Sequence, residues 1–194
     1  MRPVSEAMDG QAAENWLNFF SRTLNAFAYL TEAMIHKNMG LRYIDGSIAF
    51  ALGILVLYPI FWPEHDQQTY LVFAGLFVLS HIGQRFSASR RRITGDRFHS
   101  FYSGEPLLAG LFPRLSERAV KRHVEPLFVI LLGGIALYFD RPLGTLLMVS
   151  AGAMIATNEQ QVKRERERVY AMHDALLENQ MAAERFRGWY GDGN

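Results

Sequence analysis

The sequence predicts an all-α integral membrane protein, with four short transmembrane helices arranged as two similar hairpins. Three observations carry this: where the apolar residues lie, where the charges lie, and a self-similarity at an offset of 80 residues. The chain has 194 residues, 49% of them hydrophobic and 20% charged. Its mean hydropathy of −0.01 conceals a segregation. Apolar residues gather in 44–62, 70–83, 127–139 and 143–156, and charges fall almost wholly outside those runs. A charge at the centre of a bilayer is costly, so a spanning bundle requires this arrangement.

The self-similarity places RYIDGSIAFALGILVLY, starting at Arg42, on RHVEPLFVILLGGIALY, starting at Arg122. Arg42, Leu52, Gly53, Leu57 and Tyr58 recur as Arg122, Leu132, Gly133, Leu137 and Tyr138. Asp45-Gly46 corresponds to Glu125-Pro126, an acid followed by a turn-prone residue, and each hairpin leads into a basic run, SASRRRI or QQVKRERERV. These matches outside the apolar letters predict a duplicated hairpin unit. Between the copies, residues 85–125 carry nine Lys/Arg against four acids, whereas the first hairpin tip, PEHDQQT, carries no Lys or Arg and the second only Arg141. By the positive-inside rule both tips face away from the cytoplasm, and both termini are expected on the cytoplasmic side, in a bacterial inner membrane. Two hairpins of one orientation form a parallel repeat about an axis along the membrane normal.

The chain therefore divides into an N-terminal amphipathic helix (1–43), a first transmembrane hairpin (44–84), a basic cytoplasmic loop (85–125), a second hairpin (126–157) and a cytoplasmic C-terminal helix (158–194). Residues 1–40 do not read as a signal peptide, because Arg2 is followed by Glu6 and Asp9 with no short apolar block. From 11 to 38 the spacing is helical: Trp16, Phe20, Leu24, Phe27 and Ile35 fall near one face, with Glu14, Asn18, Arg22, Asn25, Glu32 and Lys37 mostly away from it. Such a helix is expected in the interface or packed along the spans. Run 44–62 is long enough to cross a hydrocarbon core of ~30 Å, with Tyr58 and Trp62 at the far interface. The other three runs are shorter and rely on flanking residues, such as 67–69 and 84–86, to extend them. The second hairpin is the one for which partial insertion is the alternative. Gly133, Gly134, Gly152, Ser150, Ala151 and Ala153 are expected to allow close helix approach. The tail is read as a continuation of the last apolar run, with Val162, Val169, Met172, Leu176 and Ala183 in a narrow stripe beside the solvated KRERER pattern.

Candidate functional residues are few. His81 is the only histidine inside an apolar run, which makes it either a packing contact or part of a pathway. In the loop, His99, Tyr102 and Glu105 cluster beside Asp96 and could form an acid-base site, or a turn region docked under the hairpins. Arg90, Arg91, Arg92, Arg97, Lys121 and Arg122 supply charge for anionic lipid headgroups or an acidic partner. Zero cysteines exclude disulfides and thiolate metal sites. With no glycine-rich phosphate loop, HExxH or GxSxG, neither a metal nor a cofactor nor a catalytic residue is expected, and nucleic acid is not an expected partner. These observations lead to a non-enzymatic membrane subunit, a scaffold or assembly component of a secretion, conjugation or transport complex, contacting lipids, other subunits or further copies of itself. The alternative is a small oligomeric channel or transporter subunit with a path lined by the hairpins.

Overall fold

The computed structural model describes residues 4–94 and 102–191, with side chains for 11–94 and 102–187. It is 87% helical, in five principal helices. These are α1 (Val4–Ile35), α2 (Leu41–Leu57), α3 (Gln68–Thr94), α4 (Glu117–Phe139) and α5 (Arg141–Gly191). Two short strands, β1 (His36–Lys37) and β2 (Glu105–Pro106), pair antiparallel, with His36 opposite Pro106 and Lys37 opposite Glu105.

Prolines set the irregular turns. Pro59 ends the α ladder of α2, which tightens into a 3₁₀ turn at Tyr58–Phe61. In α4 the turn Glu117–Ala119, capped by Ser116 Oγ accepting from the Ala119 amide, widens into a π turn at Val120–Val124 before the regular helix Glu125–Phe139. Pro126 accounts for this, because it lacks an N–H and its ring crowds the carbonyl four residues back. Asp140 breaks the second hairpin and caps α5, its Oδ1 accepting from the Leu143 amide at 3.0 Å.

Residues Met1–Thr157 and Asn158–Asn194 form two compact units. Within the first, helix directions follow from cross-contacts. Tyr58 Oη lies 2.6 Å from Thr145 Oγ1 and its ring stacks on Tyr70, so both hairpin tips lie at one end, here called the tip end. The opposite, base end holds the Arg85–Asp45 pair at 3.5 Å, the His36–Glu125 contact at 2.8 Å and the strand pair. Helix α1 runs beside α2 in the opposite sense, with Tyr29 against Tyr43 and Phe19 against Phe50. Along α3 it runs in the same sense, meeting Phe77 and His81 through Tyr29, Ser80 through the Ala33 carbonyl and, just past its end, Gln84 through the His36 carbonyl.

This corrects the one-faced reading of the N-terminal helix. Burial changes along α1 rather than around it: Ala26, Ala28, Tyr29, Leu30 and Ala33 are fully buried and Glu32 is 3% exposed, whereas Trp16 and Phe20 are 72% and 60% exposed. The C-terminal half is enclosed by other helices on all sides, so polar and apolar residues alike go inside. The helix also begins earlier than the spacing predicts, at Val4, and ends at Ile35.

Three helical segments are long and apolar enough to cross a membrane: Leu41–Phe61, Gln68–Thr94 and Glu117–Phe139. The fourth apolar run, at the start of α5, is not among them: it is 14 residues long, contains Thr145 and Ser150, and is followed at once by polar residues. It packs in the bundle nonetheless, with Leu146, Ala151 and Met154 buried. The close approach of α4 and α5 rests on two glycines. A Cβ on Gly144 would lie 2.4 Å from the Leu137 amide nitrogen, and one on Gly133 3.1 Å from Met148 Cγ, whereas Gly134 and Gly152 have open space. Ser150, Ala151 and Ala153 are buried as the small-residue pattern implies.

Candidate functional site

The polar residues that sequence reasoning undervalued lie on the buried half of α1 and on β1. Each ties the chain to a different neighbour. Glu32 accepts a short hydrogen bond from Tyr43 Oη of α2. Tyr29 Oη lies 2.8 Å from His81 Nδ1 of α3. His36 Nε2 lies 2.8 Å from Glu125 Oε2 of α4, and Thr31 Oγ1 donates to Met154 Sδ of α5 at 3.2 Å. The segment 29–36 thus holds at least one polar contact to every other helix of this unit, with three of them to α3.

The His36–Glu125 pair is the most demanding of these. His36 is 3% and Glu125 0% exposed, so neither charge is relieved by solvent. His36 Nδ1 faces the Ser103 carbonyl at 2.8 Å and must donate to it, because a carbonyl only accepts. The contact from Nε2 to Glu125 then needs a further proton. Burial lowers the imidazole pKa, but the hydrogen bond to Glu125 and the charges of Glu32 and Glu125 outweigh it, and His36 is held above its ordinary value. The favoured state of His36 is the imidazolium. Glu125 Oε1 receives no hydrogen bond from a described residue.

The end of the basic loop closes over this pair. Gly40 N donates to the Tyr102 carbonyl at 2.9 Å, and Gly104 adopts φ +98, where a Cβ would lie 2.7 Å from the Lys37 carbonyl. Only glycine combines that φ with so close an approach. Asn38, at φ 61, makes the matching turn on the other side.

The loop candidates separate in the structure. Tyr102 donates to Glu117 and sits under the Lys121 ammonium, 4.5 Å from its ring centroid. Burial and the neighbouring Glu117 carboxylate raise its pKa above the ordinary tyrosine value. Glu105 instead accepts from Asn38 at 3.3 Å and pairs with Lys37 at 3.6 Å. His99 and Arg97 lie outside the described residues. Among the described residues no group of three His, Cys, Asp or Glu is placed to hold a metal ion. His81 is 8% exposed with Tyr29 bonded to it. Of the basic candidates, Arg90 and Arg92 lie at the base end of α3, Arg91 Nη2 donates to the Met39 carbonyl at 3.0 Å, Lys121 pairs with Glu117 at 2.7 Å, and Arg122 is exposed on the π turn.

Sequence reasoning passed over Glu32, His36 and Tyr43 as a unit. It met Glu125 only as a letter matching Asp45. Those two acids sit differently: Asp45 pairs with Arg85 where both are about half exposed, while Glu125 is enclosed. No family model, curated protein or solved structure matches the chain.

Proposed function

We propose that this chain is a non-enzymatic integral membrane subunit, a scaffold or assembly component of a larger inner-membrane complex of the secretion, conjugation or transport kind. One observation carries the reading: the exposed half of α1 lies at the depth of a span. Phe19 meets Phe50, near the middle of the 41–61 segment, with ring centroids 6.1 Å apart. Beside it on α1, Asn15, Asn18 and Arg22 are exposed together with Trp16, Leu17 and Phe20. Asparagine and arginine at that depth do not face hydrocarbon; they face protein or enclosed water. A groove lined by Ala12, Asn15, Trp16 and Phe19 opens on the same stretch. The spans agree, since no more than 22% of each apolar window is buried within the chain.

In this reading α1 is itself a crossing element. The basic loop and the tail remain cytoplasmic by the charge rule. The N-terminus does not: antiparallel packing on α2 carries it to the tip side, a revision of the orientation expected from charge alone. Arg90, Arg92 and Arg122 then face anionic headgroups at the base.

Purification in mild detergent followed by native mass measurement tests the reading. The expected result is a stable assembly containing other membrane proteins beside the 22.1 kDa chain. A monomer that retains its cellular role contradicts it. The polar face of α1 also favours a second reading, a small oligomeric channel whose wet path is lined by Asn18 and Arg22 rather than His81; ion or solute flux through the purified protein in liposomes would select it.

A further inference from the structure

We infer that the tail self-associates with a second copy of this chain as a parallel, in-register coiled coil. The inference rests on the reading of the chain as a membrane subunit, which fixes every copy in one orientation. The tail belongs to the second unit, and every described residue from 163 to 187 is exposed on a continuous helix. A solvated single helix of this length has no need of an apolar seam, yet one is present at a period of 3.5 residues. Val162, Val169, Leu176 and Ala183 occupy successive a positions, and Glu165, Met172, Asn179 and Phe186 the d positions. Val169, Met172, Leu176 and Phe186 are 58%, 60%, 62% and 61% exposed.

The polar residues in the seam identify the occupant. A strict heptad underwinds the helix to match another helix of the same period, and an identical chain supplies one. Only an in-register copy sets Asn179 against Asn179, where each amide both donates and accepts; any shift by a heptad sets it against Met172 or Phe186. Glu165 at d then faces Glu165 of the second copy, a like-charged pair at the membrane-proximal end of the seam that Arg166 at the adjacent e position of each chain offsets. The flanking positions carry no like-charged pair: Arg168 at g faces His173, Ala175 faces Gln180, and Ala182 faces Arg187. Anchorage in one membrane enforces the parallel sense, since copies related by an axis along the normal send their tails the same way.

The chain contains no cysteine, so a single introduced thiol reports one position. Leu176→Cys, Met172→Cys and, on the opposite face at f, Asp174→Cys are to be expressed as full chains in their own membrane and treated with a short bis-maleimide. The expected result is a product at twice the chain mass from Leu176→Cys and Met172→Cys, at least ten-fold above Asp174→Cys. Adding Val169→Asp to the Leu176→Cys chain is expected to abolish it, while membrane insertion, checked by carbonate extraction, is unchanged. No doubled product from Leu176→Cys, or an equal yield from Asp174→Cys, overturns the proposal. Those failures leave the subunit reading standing if the native assembly persists, whereas a cross-linked pair with no other protein in the assembly overturns the scaffold reading and not this one.

Discussion

Replacing His36 by alanine is expected to remove about 3–5 kcal/mol from the stability of the helical bundle. The loss comes less from the attraction between His36 and Glu125 than from what is left behind. Glu125 is 0% exposed, and its Oε1 already lacks a hydrogen bond from a described residue, so loss of the imidazole strands a whole carboxylate in a dry site. The Ser103 carbonyl loses its donor as well, which loosens the strap formed by Gly104 and β2. Reversible unfolding in mixed micelles, followed by far-UV circular dichroism, measures the change. The double variant His36→Leu with Glu125→Leu is expected to recover most of it, because removing both polar groups removes the desolvation penalty too. The same pair gives a pH dependence. The folded-state pKa of His36 is raised above the ordinary histidine value of 6.5, so its contribution is fully present below that unfolded value and is lost as pH rises through the folded one. Stability should fall over that window in the native chain. It should not do so, from this source, in the double variant.

A comparable disruption is expected from Gly144→Val. At this position even a Cβ would fall 2.4 Å from the Leu137 nitrogen and 2.6 Å from its Cα, both backbone atoms that side-chain rearrangement cannot move aside. The two arms of the second hairpin must separate, which draws Thr145 from Tyr58 and uncovers Leu146 and Leu147. Overpacking of this kind costs typically 1–3 kcal/mol, and backbone against backbone belongs at the upper end. Gly134→Val supplies the control, since nothing lies within 4 Å of its Cβ position. Thermal unfolding in one detergent should show a lowered midpoint for Gly144→Val and a near-native one for Gly134→Val. Equal midpoints would mean that the two arms are not in contact at Gly144.

Periodicity and charge segregation made the helical class legible, along with the first three apolar segments and the continuity of α5 with the tail. They could not show depth. In α1, the i, i+3, i+4 spacing of Trp16, Phe20, Leu24 and Phe27 describes a face, but what decides burial is whether α2, α3, α4 and α5 surround that turn, a matter of long-range packing. Glu32 therefore looked solvated and is enclosed, while Trp16, on the face expected in the interface or against the spans, is exposed. His81 stood out because it interrupts an apolar run, yet its partner Tyr29 lies 52 residues away with no local signal. His36 sat beside Lys37 and Asn38 at an ordinary helix stop, and its bond to Glu125 joins residues 89 apart. Of the loop trio, His99 lies outside the described residues, while Tyr102 donates to Glu117 and Glu105 accepts from Asn38, contacts that adjacency in sequence does not reveal.

In the proposed function α1 lies among the spans as a crossing element with its N-terminal end on the tip side. Single cysteines at Gln11, Glu64 and Arg118, all exposed positions in a chain that has no other thiol, measure it directly when intact cells are labelled with a membrane-impermeant maleimide. Gln11→Cys and Glu64→Cys are expected to label together from outside, while Arg118→Cys labels only after the membrane is opened. Gln11→Cys labelling with Arg118→Cys instead would return α1 to the cytoplasmic face and contradict it.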